Sequence, residues 1–233
     1  MKMLTLKEIK ENKDFKLMIE NANNYLGARG YTEHGFRHVN YVSKQTAYIL
    51  EKLNFDEKTV ELGAITGYLH DIGNMFNRKH HGISSANIVY TELRRMNAPL
   101  EDILRITTAL ANHEEEIGHA VTPITSALIL ADKSDAHRTR ANKKNSTQIH
   151  DRVNLAIQDS SVEVDAKQKK ITLHIEYDSS ISQVMDYFEI YLHRMEMCKD
   201  AANNLGCRFH LMINNLELLG QVDYALKEDS ANL

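Results

Sequence analysis

The stretch Tyr68-Leu69-His70-Asp71-Ile72-Gly73 decides how this chain is read. An imidazole and a carboxylate stand side by side at the end of an apolar run containing Val60, Leu62, Ala64, Ile65 and Leu69. That spacing predicts a helix that starts after Asp56 and ends at about Gly73, with His70 and Asp71 in its last turn. Successive helical side chains point about 100° apart, so His70 and Asp71 can lean toward one site while Leu69 and Ile72 pack elsewhere. Together they suit a hard or borderline divalent ion. The dipeptide alone equally describes an ordinary helix end, where a cationic histidine is favourable. His150-Asp151 repeats the pair inside Gln-Ile-His-Asp-Arg-Val without the apolar lead-in or trailing glycine, and it reads as a surface pair.

Helical spacing continues on both sides. Leu4 to Tyr25 predicts one helix, punctuated by Gly27 and Gly30, and Phe36 to Leu53 a second. After polar Asn77 to His81, the segments Ser84 to Met96 and Leu100 to Ala111 are both periodic and are separated by Asn-Ala-Pro. Pro123 suits the first turn of a helix reaching about Ala136, and a shorter helix is expected from Ile149 to Ile157. The period then drops to two. Val162, Val164, Ile171, Leu173 and Ile175 predict a hairpin turning at Lys167 to Lys170, followed by a helix over Ile181 to Leu205 and a strand over Cys207 to Ile213. The expected fold is mostly α, with a helical bundle over residues 1–158 and a small α+β subdomain of strand, strand, helix and strand over residues 159–233.

Composition narrows the function. The chain has 233 residues, 42% hydrophobic and 26% charged, which is ordinary globular usage and enough to bury a core. A net charge of -4 lacks the basic footprint that holds a phosphate backbone, so no stable nucleic-acid binding is expected. The N-terminal twenty residues lack the apolar centre of a signal peptide and no stretch approaches membrane-spanning length, so a cytoplasmic protein without a membrane partner is expected. Cys198 and Cys207 form no C-x-x-C pair and read as reduced thiols. Self-association into a homo-oligomer stays open. Nine of the twelve histidines fall in the first 150 residues, which points toward metal chemistry.

The dipeptide gains meaning from its partners in order along the chain: His38, then His70-Asp71, His81, His113 and Asp132. Each falls at an end or on a face of a different predicted helix, and helix bundles build metal sites from residues spread in this way. The ordered set Glu-His-Gly-Phe-Arg-His38-Val, Leu-His70-Asp71-Ile-Gly, His81-Gly-Ile-Ser-Ser-Ala-Asn-Ile-Val, Asn-His113-Glu and Ala-Asp132-Lys-Ser-Asp resembles the HD phosphohydrolase superfamily over roughly the first two-thirds of the chain. The two histidines between the His-Asp pair and the final aspartate are similar to the branch with two metals, which includes HD-GYP phosphodiesterases and bacterial dinucleoside-polyphosphate hydrolases.

The resemblance implies an HD-type helical bundle and a metal-dependent phosphohydrolase, a phosphomonoesterase or phosphodiesterase acting on a nucleotide or other small phosphorylated compound through a metal-activated water. By position it implies that His38, His70 and Asp132 bind one metal and His81 and His113 another, with Asp71 as the bridge and the central catalytic residue. Iron or manganese is the first expectation for the divalent ions, with zinc, cobalt or nickel as alternatives. Asn74 stands where HD-GYP enzymes usually have lysine, Asn112-His113-Glu114 replaces His-His-Glu, and no Gly-Tyr-Pro occurs from Ile117 to Thr122, all of which argue against cyclic-dinucleotide hydrolysis. Two other readings use the same residues: an HD-fold metal-binding regulator or sensor, and an HD-type iron oxygenase.

Anionic substrates need cations, and Lys79, Lys133 and Arg138, with Arg78, are the candidates. His34 shares a helical face with His38, as an added ligand, a proton shuttle or a supporting partner. His80 reads as a rim residue, His119 and His137 as solvent-facing, and His174, His193 and His210 as lying away from the motif.

Overall fold

A computed structural model of the protein describes residues 4–136, 138 and 149–220. The chain opens with α1 (Leu6–Glu11) and α2 (Lys13–Ala28), where periodicity alone predicts one helix. Asn12 makes the break: its backbone N–H closes α1 on Glu8 and Ile9, and its side-chain oxygen accepts the N–H groups of Asp14 and Phe15 to start α2. An asparagine that can supply its own cap competes with a continuous helix, and an apolar stripe running through both segments hides that competition.

Two further helices, α3 (Phe36–Lys52) and α4 (Glu57–Leu69), form the centre. Asp56 caps α4 by accepting the Thr59 N–H. Their approach is set by Gly67, where a Cβ would lie 2.8 Å from the Ser43 Cα and the Val42 carbonyl oxygen. Ser43 fixes the contact by donating to the Ala64 carbonyl at 2.7 Å. The predicted end of α4 needs correcting. The α-helix stops at Leu69, His70 closes it, and Asp71 leads into a 3-10 turn over Ile72–Met75.

Around this pair lie α5 (His81–Arg95), α6 (Leu100–Ala111) and α7 (Pro123–Ser134). Thr122 caps α7 and Pro123 fills its first turn, where a missing N–H costs nothing. Every residue from Ile124 to Ala131 is buried, which makes α7 the hub of the bundle.

Next come α8 (Ile149–Ala156), β1 (Ile157–Asp165), β2 (Lys170–Tyr177), α9 (Val184–Asn204), β3 (Arg208–Ile213) and β4 (Leu216–Leu219). The sheet runs β1-β2-β3-β4. β1 and β2 are an antiparallel hairpin with Val162 opposite Leu173, β2 and β3 pair in parallel with Leu173 opposite Leu211, and β4 returns antiparallel to β3. Parallel neighbours need a crossover, and α9 supplies it. β1 starts at Ile157, ahead of the first alternating residue at Val162, and the four-residue β4 is too short and too exposed to leave a periodic signal.

α9 packs on β3 and on α7. Its buried side chains include Tyr187, Tyr191, Met195, Cys198, Ala201 and Ala202, and Ser126 of α7 donates to Asn204 at 2.9 Å. Bundle and sheet therefore share one continuous apolar core. Both cysteines are free and buried, and burial pushes the Cys198 thiol up to about 12. No helix among the described residues is long and apolar enough to cross a membrane.

The glycines separate packing from propensity. Gly67→Ala should cost about 1–3 kcal/mol, because its new Cβ meets backbone that cannot rotate away. Gly27→Ala, in α2 with nothing within 4 Å of the new carbon, should gain about 0.5–1 kcal/mol. Denaturant midpoints of the two variants check this, and shifts of the same sign would contradict the account.

Candidate metal centre

The predicted residues sit at element ends that converge. His38 lies in the first turn of α3, His70 closes α4, Asp71 follows it, His81 opens α5, His113 follows the end of α6, and Asp132 sits in the last turn of α7. All six come together in three overlapping groups, His38/His70/Asp71, Asp71/His81/His113 and His70/His113/Asp132, each with one ligand atom per residue within 4.8 Å of the others.

Close approach again depends on an absent Cβ. At Gly73 it would lie 2.2 Å from the His81 carbonyl oxygen and 2.6 Å from the Ser85 nitrogen, so a larger residue would push α5 off the His70-Asp71 turn. Ser85 pins the two segments by donating to the His70 carbonyl at 2.6 Å and accepting the Gly73 N–H at 2.9 Å.

Each imidazole is oriented by its outer nitrogen. Nδ1 of His70 donates to the Gly67 carbonyl at 2.9 Å, that of His81 to Arg78 at 2.9 Å, and that of His113 to Leu110 at 2.6 Å. His38 Nδ1 donates to the Asp135 carboxylate at 2.6 Å. Carbonyls and carboxylates only accept, so the protons sit on Nδ1 and the Nε2 lone pairs face inward. Inside, His38 Nε2 lies 3.2 Å from His70 Nε2, and His81 Nε2 lies 3.2 Å from His113 Nε2. Two lone pairs at that distance repel unless a proton or a metal cation stands between them.

The carboxylates face both imidazole pairs. Asp71 Oδ2 lies 3.5 Å from His38 Nε2 and 3.4 Å from His70 Nε2, while Oδ1 lies 3.4 Å from His81 Nε2. Asp132 Oδ1 is 3.4 and 3.6 Å from the first pair. Asn74 donates to Asp71 Oδ1 at 2.7 Å, whereas Oδ2 is buried with no hydrogen-bond partner among the described residues. Such an orphaned oxygen is costly unless a cation answers it. Convergent neutral nitrogens and carboxylate oxygens, each held from behind, fit a divalent metal.

Electrostatics agree. Burial alone would lower the His70 imidazole, but the Asp71 and Asp132 carboxylates outweigh it and hold it up at about 10. Burial opposes ionisation of Asp71 and Asp132, yet His70 and His38 hold the first well below the usual carboxylate range, and Lys133 with both imidazoles does so for the second. Burial and the neighbouring His81 and His70 push His113 well down, keeping it neutral.

Two supporting acids escape sequence reasoning. Asp135, one turn beyond Asp132, receives His38 and is clamped by Arg37 at 2.6 and 3.1 Å. Glu114 accepts the N–H groups of His80 and Gly82 at 2.8 and 3.2 Å and lies 3.4 Å from His81 Nδ1. Burial works against that carboxylate, but His81 and the two N–H groups pull it down to about 2. Glu114 thereby caps α5, with His80 left-handed at φ 60°, and this remote cap explains why α5 begins at His81 rather than Ser84. Their closeness in sequence to a candidate ligand, Glu114 directly after His113 and Asp135 three residues after Asp132, is the signal the sequence holds for them.

The centre opens into a cavity of about 280 Å³. Asp71, Asp132, Lys133, Arg78 and His34 line it from the bundle, and Asn154, Tyr191 and Arg194 come from α8 and α9. His34 is buried, donates Nδ1 to the Thr32 carbonyl at 2.6 Å and packs edge-on to His38. Lys133 lies 2.7 Å from Asp132 Oδ2. Lys79 is exposed and lines a neighbouring pocket, and Arg138 is exposed and hydrogen-bonded to Gln158. His150-Asp151, read from sequence as a surface pair, lines the cavity with Asp151 buried. His80 and His119 are exposed, while His137 lies outside the described residues. His174, His193 and His210 pair with Glu163, Glu196 and Glu217 away from the centre.

Residues 35–140 match the HD domain family, and all six clustered residues fall within that stretch. No curated protein matches the chain. The family indicates metal-dependent hydrolase-type activity in general, and the cluster is compatible with an HD-type site for divalent metal.

Metal and proton compete for the inner face of His70. Because His70 keeps its second proton up to about pH 10 without metal, uptake of Mn2+ should release protons at neutral pH, and affinity should rise with pH until about 10. Titration calorimetry in buffers of different ionisation enthalpy measures both. No net proton release, with affinity flat across that range, would contradict the assignment.

Proposed function

We propose that the protein is a phosphohydrolase that cleaves a nucleotide or other small phosphorylated compound using two divalent ions. The observation that carries this reading is the buried Asp71 carboxylate, with one oxygen turned to the His38/His70 pair and the other to the His81 side. His38, His70 and Asp132 would hold one ion, His81 and His113 the other, and Asp71 both. Such ions lower the pKa of water to give a nucleophile at neutral pH and polarise a phosphoryl oxygen. Iron and manganese suit this mixed imidazole and carboxylate set.

The chain's own residues have definable parts. Asp135 and the Arg78 carbonyl keep the outer nitrogens of His38 and His81 protonated, which directs their inner lone pairs, and Glu114 stands beside the latter. Asn74 holds Asp71 against rotation. Lys133 and Arg78, both on the cavity wall, would neutralise a phosphate, with Lys79 on the neighbouring pocket and Arg138 exposed farther along the chain. The small C-terminal unit supplies wall rather than ligands.

Chelator-free protein should carry close to two transition-metal ions per chain and release phosphate from small phosphate esters. Asp71→Ala should lose both metal and hydrolysis, whereas His174→Ala, on the exposed face of β2, should keep both. Metal analysis with a phosphate-release panel decides it, and an Asp71→Ala protein with ordinary metal content and turnover would overturn the reading.

A further inference from the structure

Arg194 stands out on the cavity wall. It is carried by α9, outside the HD domain, and its side chain is largely buried at 27% exposure. Glu115 Oε1 forms an ion pair with its Nε at 2.7 Å without an aligned hydrogen bond, and no other described residue hydrogen-bonds the guanidinium. A guanidinium has five N–H donors in a rigid fork. The ion pair with Glu115 occupies one edge of that fork, and its remaining N–H groups are left to face a ligand in the cavity.

Its position relative to the centre is fixed through shared atoms. Asp132 Oδ2 is 2.7 Å from Lys133 Nζ, which is 3.5 Å from Glu115 Oε1, which is 2.7 Å from Arg194 Nε, so Arg194 lies at most about 9 Å from Asp132. One small molecule can touch both. The guanidinium also covers a face of Tyr191, 4.5 Å from the ring centroid, and Tyr187 meets that ring edge-on. One face of Tyr191 is therefore taken by the guanidinium rather than open to a nucleobase. Its hydroxyl, bonded to Asn154 at 2.8 Å, keeps this platform rigid.

Charge points the same way. Asp71 and Asp132 belong to the proposed metal set and Asp135 to Arg37 and His38, leaving Arg29, Arg78, Lys133 and Arg194 on the wall against Glu115 and Asp151. We infer that Arg194 is a substrate-binding residue, and that the substrate is a compact phosphate ester with a second anionic group on its non-reacting half. The inference rests on the phosphohydrolase reading for the identity of the reacting end, while the second-anion site stands on Arg194 itself. A fork held at 9 Å or less from the cluster selects for short molecules, and a cavity of about 280 Å³ lies just below the roughly 300–1,000 Å³ of usual ligand pockets.

Two matched, non-hydrolysable probes test this on the metal-loaded full chain: 3-phosphonopropionate, which has a carboxylate, and 3-hydroxypropylphosphonate, which has a hydroxyl there. Calorimetry should show the carboxylate probe binding about ten- to a hundred-fold more tightly, the size expected of a charge-assisted contact. Arg194→Ala should erase that preference by weakening the carboxylate probe far more than the hydroxyl probe, whereas a merely structural role for Arg194 would weaken both alike. Arg194→Lys, with the charge but not the fork, should retain part of it and guards against misfolding of the alanine variant. Equal affinities in the wild type, a preference that survives in both variants, or no binding of either probe would overturn the inference. A preference that depends on Arg194, in a protein that hydrolyses no phosphate ester, would instead uphold this site and refute the phosphohydrolase reading.

Discussion

The Asp71 carboxylate sits between two pairs of imidazoles that cannot tolerate one another without positive charge. His38 and His70 face each other through inner nitrogens on one side, and His81 and His113 do so on the other. Each outer nitrogen is committed to a fixed acceptor, so the rings cannot turn away. Stored repulsion of this kind is tolerable only because a cation relieves it. Without metal, the proton on His70, held by the same carboxylates that would hold a metal, does this for the His38/His70 pair.

Much of the fold serves this arrangement. Gly67 lets α4 lie against the backbone of α3, and Gly73 lets α5 start directly on the His70-Asp71 turn. Glu114 then ties the end of α6 to the start of α5, so that His81 and His113 are placed by one cap. α7 brings Asp132 from the centre of the core. The sheet leaves the centre alone, but its crossover helix α9 closes the cavity with Tyr191 and Arg194. On the proposed reading, the bundle would carry the chemistry and the C-terminal unit would select the bound molecule.

The sequence was most legible where period and spacing speak. Helices α3 to α7, the β1/β2 hairpin and α9 follow from apolar repeats, and the six clustered residues follow from their order along the chain. Features set by one polar side chain were not legible. Asn12 splits a helix whose apolar stripe is continuous, and Glu114 starts α5 three residues early from a distant position. His150-Asp151 looked like a surface pair because nothing local records that α8 folds back over the cavity. Among the cations, Lys133 reached the wall while Lys79 and Arg138 did not, and Arg194 was invisible because α9 lies far from the motif in sequence.

The central claim is that Asp71 is shared between two metal positions. Anomalous diffraction from crystals of the manganese-loaded protein, recorded on both sides of the manganese absorption edge, tests it most directly. The account predicts two peaks, one between Asp71 Oδ2 and the His38/His70 pair and one between Asp71 Oδ1 and the His81/His113 pair. A single peak that leaves either imidazole pair without a cation, or two peaks that do not share Asp71, would contradict it.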